Sequence, residues 1–99
     1  MIRGTTPTLE FKLPFETSVL AEAYVTFAQH GDVVLDKKMN ECQCNENVLT
    51  VKLTQEETLS LECNCLTEIQ IRVRTIDGNA LASKVMSVSP DRILKDGVI

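Results

Sequence analysis

Glu68-Ile69-Gln70-Ile71-Arg72-Val73-Arg74-Thr75-Ile76, followed at once by Asp77-Gly78-Asn79, decides the fold of this 99-residue chain. Ile69, Ile71 and Val73 recur at every second position, while Gln70, Arg72 and Arg74 occupy the positions between them. That period of two is the pattern of a strand with one apolar face and one wet face. Asp77-Gly78-Asn79 is a hairpin signal, because glycine reaches positive φ without a Cβ clash. The chain is then expected to return along Ala80–Val88.

The same alternation spreads through the rest of the sequence. In Thr8–Leu13 the apolar Leu9, Phe11 and Leu13 share a face, and Pro14, which has no N–H to give a ladder, ends the segment. Ala21–Gln29 groups Ala23, Val25 and Phe27. His30-Gly31-Asp32 reads as a turn, and Val33–Lys38 follows with Val33 and Leu35 on one face, so that Tyr24–Gln29 and Val33–Lys38 form a hairpin. A turn at Asn45-Glu46-Asn47 leads into Val48–Leu53, where Leu49, Val51 and Leu53 alternate with polar or smaller positions.

Two stretches break the period. Thr54-Gln55-Glu56-Glu57 places a hydroxyl three residues before a carboxylate, the pattern of a capping box. It predicts a single helical turn toward Leu59 or Leu61, too short to be stable alone and suited to a crossover. Ser89-Pro90-Asp91 resembles a helix start with proline at the first helical position, predicting one turn through Arg92–Lys95 before Gly97. The expectation is an all-β fold: an antiparallel two-sheet sandwich of about six or seven strands with one or two short helical turns, residues 1–99 forming one domain. The inward positions are Leu9, Phe11, Leu13, Ala23, Val25, Phe27, Val33, Leu35, Leu49, Val51, Leu53, Ile69, Ile71, Val73 and Leu81.

Composition narrows the function. Fourteen acids against ten bases give a formal net charge of -4, which repels a phosphate backbone and disfavours a nucleic-acid partner. Four aromatic residues offer no stacking platform, and the four glycines stand singly, outside any phosphate-cradling motif. No run of about 18 apolar residues is present, so no membrane-spanning helix is expected. Met1-Ile2-Arg3-Gly4-Thr5-Thr6-Pro7 lacks the apolar stretch of a secretory signal, which predicts cytoplasmic synthesis and free thiols.

The cysteines are the one candidate constellation for chemistry. Cys42-Gln43-Cys44 and Cys63-Asn64-Cys65 form two CxC pairs, and an antiparallel register would set Cys42 opposite Cys65 and Cys44 opposite Cys63. A zinc centre needs four donors around one ion, with sulfurs at about 2.3 Å. An extended CxC holds its two Cα atoms about 7 Å apart, too wide unless the chain bends. Zinc, disulfides and small half-buried thiols all remain open, the last matching the usual burial of free cysteine. His30, the sole histidine, is expected exposed at a turn tip with no catalytic partner. Glu56 and Glu57 would point apart on a helical turn, so capping explains them. Arg72, Arg74 and Lys84 form a basic stripe whose simplest role is a solvated strand face.

Three groups of segments resemble small prophage-encoded proteins of Gram-positive bacteria. They are Met1–Thr8 with Leu13-Pro14-Phe15, Val51–Leu59, and Ile69–Arg74 with Ala80-Leu81-Ala82-Ser83. The resemblance implies an immunoglobulin-like sandwich, similar in size and pattern to the N-terminal module of phage upper baseplate proteins, where such modules dock a receptor-binding apparatus. Glu57-Thr58-Leu59-Ser60-Leu61-Glu62-Cys63 also has the spacing of the acid-Thr-x-x-Tyr-x-Cys corner of immunoglobulin variable domains. Leu61 stands in the tyrosine place, and there is no tryptophan and no early cysteine, so an antibody-type domain is excluded.

The expected function is therefore a non-enzymatic structural or assembly module of a phage tail or baseplate, with no cofactor. Its partners would be virion proteins or further copies of itself in a homo-oligomer, with incorporation into a virion after synthesis. Leu9–Leu13 and Ala80–Val88 are the candidate docking edges, since an unpaired strand edge is a template for another chain. The alternative is a small zinc-binding module using Cys42, Cys44, Cys63 and Cys65.

Overall fold

A computed structural model describes all residues, Met1–Ile99. The strands are β1 (Thr8–Lys12), β2 (Leu20–Gln29), β3 (Asp32–Lys38), β4 (Gln43–Asn45), β5 (Val48–Lys52), β6 (Thr67–Thr75), β7 (Ala80–Ala82) and β8 (Met86–Val88). One short helix, α1 (Gln55–Leu59), joins β5 to β6, and single 3-10 turns lie at Thr17–Val19 and Met39–Glu41. All strand pairings are antiparallel.

Two sheets result. The first runs β1-β5-β4, and the second runs β3-β2-β6-β7, with β8 pairing β6 beyond β7. Immunoglobulin sandwiches stack a sheet in the order A-B-E-D on one whose order is G-F-C, extended by C′ in the variable type. Taking β1 as B and β2 as C reproduces both orders here, with strand A absent. In its place stands one parallel bridge, Ile2↔Asp91. Asp91 accepts from Arg3 N–H at 3.0 Å and donates to Met1 O at 2.6 Å.

The core lies between the sheets. Val25 and Phe27 of β2, with Ile69, Ile71 and Val73 of β6, pack toward Leu49 and Val51 of β5 and Leu53 just past it. Leu61, at the tyrosine place of the corner, is also fully buried. Thr54 caps α1 as its sequence predicts: its hydroxyl accepts from Glu57 N–H at 3.1 Å, and its own N–H donates to the Glu57 carboxylate at 2.9 Å. Arg3 holds the exit from this turn, donating to Leu61 O at 2.7 Å and Leu59 O at 2.8 Å.

Several expectations are corrected. Ser89–Lys95 forms no helical turn, because the Asp91 backbone groups are committed to the N-terminal bridge in an extended conformation. The return strand after Asp77-Gly78-Asn79 is two strands, separated where the Ser83 hydroxyl takes the Ile71 N–H. Val33 is 62% exposed. The register passes from Phe27↔Leu35 to Ala28↔Val33, so Val34 is an extra residue, and the bulge turns Val33 outward while Leu35 stays inward. A second bulge, between Leu20 and Glu22 of β2, returns Leu20 to the core against the alternation that Ala23, Val25 and Phe27 set.

Candidate functional site

Leu81 faces the same side as Val73, its cross-strand partner, yet Val73 is 7% exposed and Leu81 46%. The expectation that Leu81 is buried therefore fails, and topology supplies the reason. β1 is the last strand of its sheet, and no further strand lies beyond it to roof β7. What remains is an apolar groove of about 260 Å³ bounded by Leu13, Pro14, Phe15, Ile71, Val73 and Leu81. The apolar surface continues past Phe15 and Leu81 to the exposed Val19 and Ile76. Both expected edges exist: β1 pairs only with β5, and β7 only with β6.

A second feature forms at the opposite end of β6. His30 and Gly31, at φ 54° and 78°, make the two-residue turn that joins β2 to β3 in the Gln29↔Asp32 register. Positive φ at both turn positions matches the right-handed twist of the strands. Just before this turn the buried Gln29 side chain clasps the backbone of Glu62, donating to its carbonyl at 3.0 Å and accepting from its N–H at 2.9 Å. The same amide donates to Thr67 Oγ1 at 3.0 Å. Asn64, at φ 59°, then bends the chain between Cys63 and Cys65.

The outcome is a convergence on one atom. His30 Nε2 lies 3.3 Å from Glu62 Oε2 and 3.3 Å from Cys65 Sγ. His30 is exposed, as expected from its turn position, but it does have partners, and local sequence could not reveal them because they lie 32 and 35 residues away.

The four-cysteine arrangement does not assemble. Cys44 sits in β4 opposite Leu49, whereas Cys63 and Cys65 belong to no strand, so the expected cysteine register is absent. All four cysteines are free. Cys42 donates to Lys38 O at 3.2 Å, and its thiol pKa is raised by burial, reinforced by Cys44 and Glu41 against an opposing effect of Lys37. The one set of three or more His, Cys, Asp or Glu donors lying within 4.8 Å of one another is His30, Glu62 and Cys65.

Nothing in its residue type marks Lys37 for the interior, yet it is buried on β3. Its Nζ reaches Glu57 Oε2 at 2.6 Å and Glu41 Oε2 at 3.8 Å, tying the sheet to the helical turn. Burial pushes the Glu57 carboxyl up, but hydrogen bonds from Lys37 and Thr54 and the Lys37 charge outweigh it and hold the group below its ordinary value. Of the basic stripe, Arg74 pairs loosely with Glu22 at 3.7 Å on an exposed face, a contact of little energetic weight.

No family model, no curated protein and no solved structure matches the chain. No helix is long and apolar enough to cross a membrane.

Proposed function

We propose that this chain is a non-enzymatic structural or assembly module of a phage particle, belonging to its tail or baseplate and working through protein–protein contacts at its sheet edges. The observation that carries this reading is the unroofed groove over Leu81 beside the unpaired edge of β1. An extended segment of a neighbouring subunit laid there would gain main-chain hydrogen bonds along β1 and cover the apolar side chains of β7, which is recognition by strand addition. The resemblance of Val51–Leu59 and Ile69–Arg74 to prophage-encoded proteins supports the particle as the setting. The first supplies the end of β5 and α1, and the second most of β6, whose Ile71 and Val73 line the groove.

The test combines two measurements on the full chain. Light scattering across a concentration series is expected to show self-association that Leu81→Glu reduces at least tenfold. Mass spectrometry of particles induced from a lysogen carrying the gene is expected to find the chain in fixed ratio to tail proteins. Association with particles but not with itself identifies a virion partner as the occupant. A strict monomer that is absent from particles overturns the reading.

A further inference from the structure

We propose that His30, Glu62 and Cys65 form a binding site for one zinc-class divalent ion, independent of the assembly edges and of the expected four-cysteine centre. An imidazole nitrogen, a carboxylate oxygen and a thiolate sulfur are the donor types zinc takes, and their mixture of hard and soft character suits a borderline metal.

The geometry is that of donors around a shared centre. Bonds of about 2.0–2.1 Å to nitrogen and oxygen and about 2.3 Å to sulfur imply tetrahedral donor separations of about 3.3 Å for N···O and about 3.6 Å for N···S. The observed His30 Nε2 separations are 3.3 Å to Glu62 and 3.3 Å to Cys65, close to these values, and all three donor atoms lie within 4.8 Å of one another, so ligation asks the Glu62 and Cys65 donors to close on one centre beside Nε2. Three protein donors leave a fourth position for water or a further ligand.

Two other readings of the cluster fit less well. A nucleophile–base–carboxylate triad uses opposite ring nitrogens, the thiol facing one and the carboxylate orienting the imidazole through the other. Here both groups face Nε2. A plain hydrogen-bond network leaves one approach unused. Nε2 carries at most one proton with one direction, so it cannot serve both neighbours well; its 3.3 Å to Glu62 is long for a nitrogen–oxygen hydrogen bond, and the Cys65 thiol has a separate acceptor in Leu66 O at 3.5 Å. A metal ion accounts for both approaches at once.

The supports of the site are built in. Gln29 fixes the Glu62 backbone from inside the fold. Asn64 turns Cys65 toward His30 through a left-handed backbone, a conformation asparagine tolerates better than most residues. The bend supplies what an extended CxC lacks, and it commits Cys65 to a histidine and a carboxylate in place of the distant thiols.

Cobalt(II) titration of the full chain, stripped with chelator and held reduced, tests the assignment through a spectroscopic signature. One equivalent per chain is expected to give a thiolate-to-cobalt charge-transfer band with the intense visible bands of a tetrahedral ion, and one equivalent of zinc should bleach both. Cys65→Ser should abolish the charge-transfer band. His30→Ala and Glu62→Gln should each weaken binding at least tenfold. The Cys42→Ser, Cys44→Ser double variant should bind as the parent does. Because the His30 and Glu62 side chains are exposed, Glu62→Gln should match the parent in metal-free thermal unfolding and His30→Ala should fall only slightly below it, alanine tolerating the left-handed turn position less well, which separates lost ligation from lost folding. Absence of the band, or binding that survives without His30 and Cys65 but fails without Cys42 and Cys44, overturns the proposal.

Discussion

Glu57→Gln isolates the charge that β3 shares with α1. Glutamine is accepted at the third position of a capping box, so the helical turn keeps its start while Lys37 loses its main counter-ion. The Lys37 side chain is 10% exposed and that of Glu57 22%, so the ammonium would be left largely dry, with only Glu41 at 3.8 Å to answer it. Breaking a fully buried pair costs about 3–5 kcal/mol. Partial exposure and the surviving Glu41 bring the expected loss to about 2 kcal/mol, the scale of one hydrogen bond to a charged group. For a domain of this size that lowers the thermal midpoint by about 8–16 °C. Lys37→Met keeps an unbranched chain in the same space and leaves the Glu57 carboxylate, which is more exposed than the ammonium and keeps its bond from the Thr54 N–H, so it is expected to cost less than Glu57→Gln.

Acid should erase the difference between the parent and Glu57→Gln. The Glu57 carboxyl is held below its ordinary value when folded. Its contribution is therefore complete above the unfolded value of about 4.3 and is lost as pH falls through the lower folded value. Urea unfolding of the parent, the two single variants and the double variant at neutral pH and near pH 3 provides the assay. A Glu57→Gln loss under about 0.5 kcal/mol at neutral pH, or a Lys37→Met loss as large as that of Glu57→Gln, would refute the reasoning.

Phe27→Ala should cost about 3–5 kcal/mol in denaturant unfolding, because Phe27 is fully buried between the sheets; a loss below about 1.5 kcal/mol would place it outside the core. Thr54→Ala should cost about 1 kcal/mol while Thr54→Asp restores most of it, since only an oxygen acceptor for the Glu57 N–H is needed. Gln29→Leu keeps the volume but strands the backbone N–H and carbonyl of Glu62 and the Thr67 hydroxyl. A loss of about 2–3 kcal/mol is expected. Amide exchange at Glu62 should quicken beyond what global destabilisation explains, and unchanged protection there would remove Gln29 as the clasp of this loop.

Much of the sandwich was legible because period two and turn chemistry are local. Ile69, Ile71 and Val73 announce an inward face whatever lies opposite, and Thr54 with Glu57 announces a capped turn. The alternation failed at the bulges. Leu20 and Val33 stand one step out of phase with their strands, because one extra residue in a ladder exchanges the two faces, and nothing at Ala21 or Val34 marks the insertion. The helical turn expected from Ser89-Pro90 failed for a different reason: local propensity at Asp91 lost to backbone bonds with Met1 and Arg3 from the far end of the chain.

The candidate sites divide along the same line. Sequence by itself determined the alternating faces, the turn at His30 and the presence of four thiols, since each rests on neighbours a few positions apart. Only the tertiary structure decided that Cys65 meets His30 and Glu62 rather than Cys42, that Lys37 is paired indoors, and that Leu81 stays uncovered for want of a strand beyond β1. These are outcomes of which strands become neighbours and where each sheet ends. Such choices are made by long-range pairing and burial summed over the whole chain, and no local stretch carries them.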